Sequence, residues 1–403
     1  MLHSFFIVSL LNSLEVLIGS DSVDWFLKEI FERKMFHFAH ESDPCFDFSF
    51  RDFESVLSLP GVRPFLRVVN QQIADHDPKI LSDNGHLCKP YLLSRFYDGS
   101  SIVINEIHRF HAGLMSFSSS LSQQLGVSCV VNAYLTPSAS VALSPHFDSH
   151  DIFAIQIDGR KDWFVDPAVS PLTTKSTFQP ILSDSDAESL GLTTVSMDVG
   201  DVLYLPRGCV HHARTTSAHS LHLTVGLYPV EWSELVGSIL EASSSMPSAR
   251  QWRQSVPLGT RRVSAKVVRD SILQLLPDLL SDEVIESALR SQEKRLCADQ
   301  PASFIDALQR SRCDQAVPLS DLLLTRCSEA VYFYRVDGGL RIVSSGYGFT
   351  LRHGDLEFLE TLISGSEPFT VESLRGSQNC SALDMACVEQ LIRRGILLVS
   401  EAR

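Results

Sequence analysis

At 403 residues the chain exceeds one ordinary core, so two or three domains are expected. Its 44% hydrophobic and 20% charged residues are those of a globular protein, and no apolar run is long enough for a membrane-spanning helix. A net charge of −14 argues against a nucleic-acid-coating protein and is compatible with a basic partner or with plain solubility. The nine cysteines are scattered, odd in number and form no CxxC pair. Neither a disulfide framework nor a zinc knuckle is indicated, and reduced thiols in a cytoplasm are expected.

Met1–Gly19 is apolar but lacks a basic start and carries Asn12 and Glu15, so a packed helix is expected rather than a signal peptide. From about Asp24 to Asp98 short helical and strand patterns alternate, with turn signals at Asp43-Pro44 and Asp83-Asn84-Gly85. Ile107–Leu125 has helical spacing and ends at Gly126, a C-cap residue. Short strands rich in β-branched and aromatic residues follow at Val127–Leu135, Phe153–Ile157, Trp163–Val165, Thr194–Met197, Val202–Leu205 and Leu221–Tyr228. Turns at Asp158-Gly159 and Val199-Gly200-Asp201 separate them. That pattern predicts a jelly-roll barrel.

After Pro229 the texture becomes helical, with amphipathic stretches at Glu231–Ser245, Ala265–Leu276 and Ser281–Arg295 and a Ser- and Pro-rich connector at Ser243–Pro257. From Val317 two strands, Ala330–Val336 and Leu340–Val343, meet at Asp337-Gly338-Gly339. Helices at Leu356–Ile363 and Ala382–Arg394 and a strand at Ile396–Val399 follow. This mixture is compatible with a winged helix. With 8 Arg, no Lys and 11 acidic residues it lacks the basic face of a DNA reader, so a structural or protein-contact module is expected. The expected α+β architecture is a barrel domain with an N-terminal helical extension over 1–230, a helical region over 231–316 and a winged-helix-like module over 317–403.

The chemistry concentrates in Ser144–Gly159. His146 and Asp148 stand two apart, so on an extended strand both point to one face and offer adjacent metal ligands. A third ligand is available from Gly200–His211, where an apolar strand meets a Pro-Arg-Gly turn and presents His211, with His212 competing for the role. Two histidines and one carboxylate leave three coordination positions open, the arrangement of non-haem Fe(II) oxygenases; zinc more often takes three histidines or several thiolates.

Gly200–His211 also has the second-motif spacing of the cupin superfamily, which selects His211 over His212. The stretches Asn132–Pro137, His146–Trp163 and Leu205–Leu227, with Ile104–Leu114 upstream, resemble the JmjC ribosomal oxygenases. The Val256-Pro257-Leu258-Gly259 junction and the end of the chain are similar to that family's helical dimerisation region and winged helix. The resemblance implies a double-stranded β-helix, Fe(II), 2-oxoglutarate and O2, a homodimer, and hydroxylation of a side chain in a ribosomal protein or biosynthetic precursor peptide, a basic one by charge. By position it implies His146, Asp148 and His211 as ligands and Lys161 as the cation for the far carboxylate of 2-oxoglutarate. Asn132 and Tyr134 would line the pocket, whereas their ordinary role would be hydrogen-bonded core polarity.

His219 and His222 stand three apart and face opposite sides, so at most one enters the pocket. His222 shares the parity of Thr224 and Gly226, and His219 is expected outside. His150 and Asp151 are candidates for orienting a ligand or for the rim. Gly226 stands where family members with ribosomal substrates tend to have serine, which leaves the target residue open. The competing readings are an N-demethylase, a hydroxylase of a small molecule or nucleic-acid base, and a catalytically silent cupin.

Overall fold

The computed structural model describes residues 13–39, 47–70, 80, 87–168, 172–174, 189–245, 253–255, 264–299, 322–326, 331–344, 347–352, 354–364, 368–371, 373 and 381–399. The turns expected at Asp43-Pro44 and Asp83-Asn84-Gly85 and the Val256–Gly259 junction lie outside these residues. The chain divides into two compact units, up to Tyr228 and from Pro229.

In the first unit α1 (Ser13–Ile18), α2 (Val23–Trp25) and a π-helical turn (Phe26–Ile30) lead to β1 (Phe36–Phe38). Then come α3 (Phe50–Leu57), β2 (Leu66–Val69), α4 (Lys89–Tyr97), β3 (Ser101–Ile104) and α5 (Ala112–Leu125). The barrel strands are β4 (Ser128–Pro137), β5 (Asp151–Val165), β6 (Thr193–Met197), β7 (Val202–Leu205) and β8 (His211–Tyr228). Helix α5 starts later than its spacing predicts. His111 adopts an extended backbone and its Nδ1 accepts the Leu114 N–H, so it is the N-cap rather than a helical residue. Gly126 closes the helix in the left-handed conformation, as expected.

The sheet runs β1-β7-β5-β8-β4-β3-β2, all antiparallel, with β6 pairing to the second half of β5. Asp158-Gly159 is not a turn between two strands. It sits inside the continuous 15-residue β5, where the register against β8 shifts between Gln156 and Asp158 and again between Gly159 and Lys161. These bulges bend the strand and change which parity faces inward. Before them Ile152 and Ala154 point into the barrel; after them Trp163 and Val165 do, joined by Met197, Leu203 and Leu205. The opposite face of the sheet, with Phe153, Ile155, Leu223 and Val225, packs against the N-terminal elements. There Phe26 meets Tyr204 edge-on at 4.9 Å and Phe153 at 5.4 Å. Each such fully buried ring contributes about 1.5–3 kcal/mol through apolar burial.

The second unit holds α6 (Trp232–Ser245), α7 (Ala265–Leu279) and α8 (Asp282–Asp299). After them come β9 (Leu324–Arg326), β10 (Val331–Val336), β11 (Gly339–Ser344), β12 (Tyr347–Arg352), α9 (Leu356–Ser364), α10 (Ala382–Arg393) and β13 (Leu397–Val399). Strands β10–β12 form a meander and β13 pairs with β9. Leu324, Ile342, Leu359, Val388 and Leu391 share one core. Val267, Ile272 and Leu273 on α7 are exposed by 50%, 47% and 55%, an apolar face uncovered in the single chain.

Gly159 carries the bend at φ 70, and a Cβ there would lie 2.0 Å from the His219 carbonyl oxygen. Gly191 has φ 64 but open space around it. Chemical denaturation should therefore show Gly159→Ala losing about 3 kcal/mol or more. The left-handed penalty alone, about 1–2 kcal/mol, is expected for Gly191→Ala.

Candidate metal centre and co-substrate pocket

His146 and Asp148 are not on a regular strand. They lie in the irregular segment before β5, where one two-way bridge fixes His146: its N–H donates to His211 O at 3.1 Å and accepts in return the His211 N–H on its own carbonyl at 2.7 Å. The expectation that a strand presents both side chains therefore gives way to a bridge plus a turn, because the Gly208 N–H, at 2.8 Å, and the Thr173 hydroxyl both donate to the Asp148 carbonyl.

Ligand atoms of His146, Asp148 and His211 all lie within 4.8 Å of one another. His211 Nε2 is 3.7 Å from Asp148 Oδ2, and the two imidazole centroids are 4.5 Å apart. Each ring is oriented from behind. His146 Nδ1 lies 2.8 Å from Ser144 O and His211 Nδ1 lies 2.9 Å from Cys209 O. A carbonyl only accepts, so both Nδ1 atoms carry the proton and both Nε2 lone pairs are left for a metal. Burial, helped by neighbouring His146, lowers His211 to about 4 and keeps it neutral at physiological pH.

Beyond His211, Trp163 packs its indole 5.8 Å from that ring and edge-on to His222 at 5.4 Å. Lys161, 1% exposed, points its Nζ at Thr136 Oγ1 and His222 Nδ1, both at 3.3 Å. No carboxylate among the described residues lies within ion-pairing distance of Lys161, and burial lowers it to about 7. Burial, helped by the charge of Lys161, holds His222 neutral, and Tyr134 stacks on it at 4.9 Å. Such a pocket suits an anionic ligand group that would restore a full charge to the lysine.

Residues 108–235 match the JmjC domain family. These residues are a JmjC domain. Human ribosomal oxygenase 1 is 28% identical over 250 residues, 60% of this chain and 39% of that protein. The bifunctional lysine-specific demethylase and histidyl-hydroxylase NO66 of Culex quinquefasciatus is 25% identical over 325 residues, 73% of this chain and 48% of that protein. The chain thus spans less than half the length of the curated relatives it matches. Among solved structures, Escherichia coli YcfD matches with a TM-score of 0.54 at 14% identity over 93% of this chain and 97% of its own. YcfD in complex with cobalt and succinic acid gives 0.52, also at 14% identity, over 94% and 98%. The chain has that fold.

Other residues of the JmjC domain take clear places. His219 lies on the outer side, 3.3 Å from Asp158 and edge-on to Phe50. His212 stacks on Phe164 at 4.8 Å, away from the three ligand atoms. Asn132 uses its side-chain oxygen to accept the Glu106 N–H, so it supports the left-handed turn at Glu106 (φ 51). His150 stacks on Tyr228 at 4.5 Å, and its ring covers Gly226 so closely that a Cβ there would be 2.8 Å from Cδ2. Asp151 is fully buried beneath Tyr204 and Arg207, and burial raises its carboxyl to about 6. Thr136 and Trp163 were passed over in the sequence, although Thr136 shares the parity of Asn132 and Tyr134, and Trp163 that of Lys161.

His211→Ala should weaken Co(II) binding more than about 100-fold, beyond what losing a supporting partner costs, whereas His212→Ala should leave it close to wild type. A titration followed by visible absorption separates the two, and the reverse order would reassign the ligand.

Proposed function

We propose that the JmjC domain is an Fe(II)- and 2-oxoglutarate-dependent oxygenase that hydroxylates a side chain of a protein or peptide. The observation that carries this reading is the pairing of three converging ligand atoms with a buried lysine that has no carboxylate partner among the described residues. The donor set fits Fe(II): two neutral imidazole nitrogens and one carboxylate oxygen, with positions left for a chelating 2-oxo acid and O2. Bound iron supplies the oxidising chemistry, one atom of O2 entering a C–H bond while 2-oxoglutarate is decarboxylated to succinate.

His146, Asp148 and His211 hold the metal. Lys161, buried and steadied by Thr136 and His222, pairs with the far carboxylate. The relatives' names, ribosomal oxygenase and histidyl-hydroxylase, favour a protein target, and the YcfD complex with cobalt and succinic acid contains the kinds of group this pocket would take. The acidic chain favours a basic target such as a ribosomal protein or precursor peptide. The apolar face of α7 favours a homodimer through the helical region, and the C-terminal meander and helices a winged-helix module that contacts protein rather than DNA. A cytoplasmic location is in keeping with the free thiols of the described Cys88, Cys129, Cys209 and Cys387.

Anaerobic addition of Fe(II) and 2-oxoglutarate should give a charge-transfer band, and with O2 a mass gain of one oxygen atom on a basic peptide. Loss of a methyl group instead would favour the demethylase, and no band and no succinate would remove the oxygenase reading. The charged form of Lys161 is the one that binds a carboxylate, and in the free protein it is lost as pH rises through about 7. Binding of 2-oxoglutarate should then take up a proton above pH 7 and weaken up to about tenfold per unit. Calorimetry in buffers of different ionisation heat measures that uptake. Light scattering should report a dimer, and Val268→Asp with Ile272→Asp a monomer.

A further inference from the structure

The N-terminal segment reaches the metal centre through a buried polar network. Glu32, just after the π-helical turn, holds a left-handed backbone at φ 57, a conformation unfavourable for a side chain-bearing residue and kept only where surroundings impose it. What imposes it is a double contact. The Glu32 N–H donates to Tyr204 Oη at 2.9 Å, and its carboxylate accepts Arg207 Nη1 at 2.5 Å. Arg207 Nη1 also lies 3.5 Å from Asp151 Oδ2, and Tyr204 Oη donates to Asp151 Oδ1 at 2.6 Å. The arginine side chain is 9% exposed and the Asp151 side chain 0%, so the inner pair is shielded from solvent.

Arg207 stands in the turn on which the metal site hangs. The next residue, Gly208, donates its N–H to the carbonyl of Asp148 at 2.8 Å. The one after, Cys209, offers the carbonyl that orients the His211 ring at 2.9 Å. His211 in turn is bridged to His146. Any shift of Arg207 moves the support of two ligands at once and reaches the third through the bridge.

We propose that Arg207, anchored by Glu32 from the N-terminal segment, is a positioning residue that sets the orientation of Asp148 and His211 for metal binding. The proposal rests on the metal-site reading above. It assigns the strained Glu32 backbone a purpose: the strain is sustained because it aims the carboxylate at Arg207.

Co(II) is the probe, added to the full chain and followed by its visible absorption. Glu32→Gln leaves the buried Arg207–Asp151 pair in place and should weaken Co(II) binding about 3–10-fold, a milder effect than the 10–100-fold expected for Arg207→Gln. Arg207→Lys should recover only part of the loss, since one ammonium cannot span both carboxylates as a guanidinium does. Should Arg207→Gln fail to fold, Arg207→Gln with Asp151→Asn removes the uncompensated buried charge and must still bind Co(II) weakly with an altered absorption band. Phe26→Ala, which loosens the same packing but none of the polar links, should lower the melting temperature without moving that band. The proposal is overturned if the Glu32 and Arg207 variants bind Co(II) with wild-type affinity and spectrum, or if Phe26→Ala changes both as much as they do. Wild-type protein that binds no Co(II) at all would instead remove the metal-site reading.

Discussion

Everything that faces the pocket depends on one antiparallel ladder, that of β5 with β8. It runs from Asp151 opposite Leu227 to Val165 opposite His211, so the same pair of strands carries the pocket rim at one end and a candidate ligand at the other. A ladder of that length cannot stay in one flat sheet and also enclose a cavity, so it bends, and the two register shifts between Gln156 and Lys161 are where it does so. The shift in parity puts Lys161 inward beside Trp163. Without it the lysine would face the other way, and the barrel would be a filled apolar core with a metal site at its edge.

A lysine at that place is costly, and the surrounding residues show how little is done to offset it in the free protein. Two neutral partners, Thr136 and His222, receive its ammonium, and neither brings a negative charge. Structural burial of a cation is normally accompanied by a paired anion. Here, among the described residues, no anion is paired with the lysine. The metal-binding end follows an opposite logic: both imidazoles are tied to backbone carbonyls and Asp148 is held by its own carbonyl, so the donors are fixed before any ion arrives. One end of the pocket is preorganised by hydrogen bonds and the other is left electrostatically incomplete.

The residue types and spacing of His146, Asp148 and His211 were legible because ligation needs particular atoms, and those atoms leave their mark in a single chain. Lys161 and the choice of His211 over His212 came from family resemblance, since a Gly-Arg-Lys stretch reads equally well as a solvated turn. The structure separates the two histidines by register, His211 opposite Val165 and His212 opposite Phe164, hence on opposite faces. What spacing misjudged is instructive. Asp158-Gly159 has the chemistry of a turn, and only the long-range pairing with Ser220 and Leu221 makes it a bulge. The same limit hid β1, whose pairing with β7 joins residues far apart in sequence, and the Glu32–Arg207 link. Short-range periodicity carries no information about such partners.

Gly226 shows why one position cannot be interpreted alone. On the sequence it is a glycine of the same parity as His222, where family members with ribosomal substrates tend to have serine, so a hydroxyl is missing. In the fold its space is taken by the imidazole of His150, carried in from the segment that bears Asp148 and braced against Tyr228. The wall here is thus formed from the segment before β5, with a ring nitrogen 3.0 Å from where a Cβ would stand. The pocket has exchanged a strand-borne group for a segment-borne one, and the group is now coupled to a ligand two residues away. The space beside Gly226 is therefore set by the geometry of the Asp148–His150 segment as well as by the end of β8.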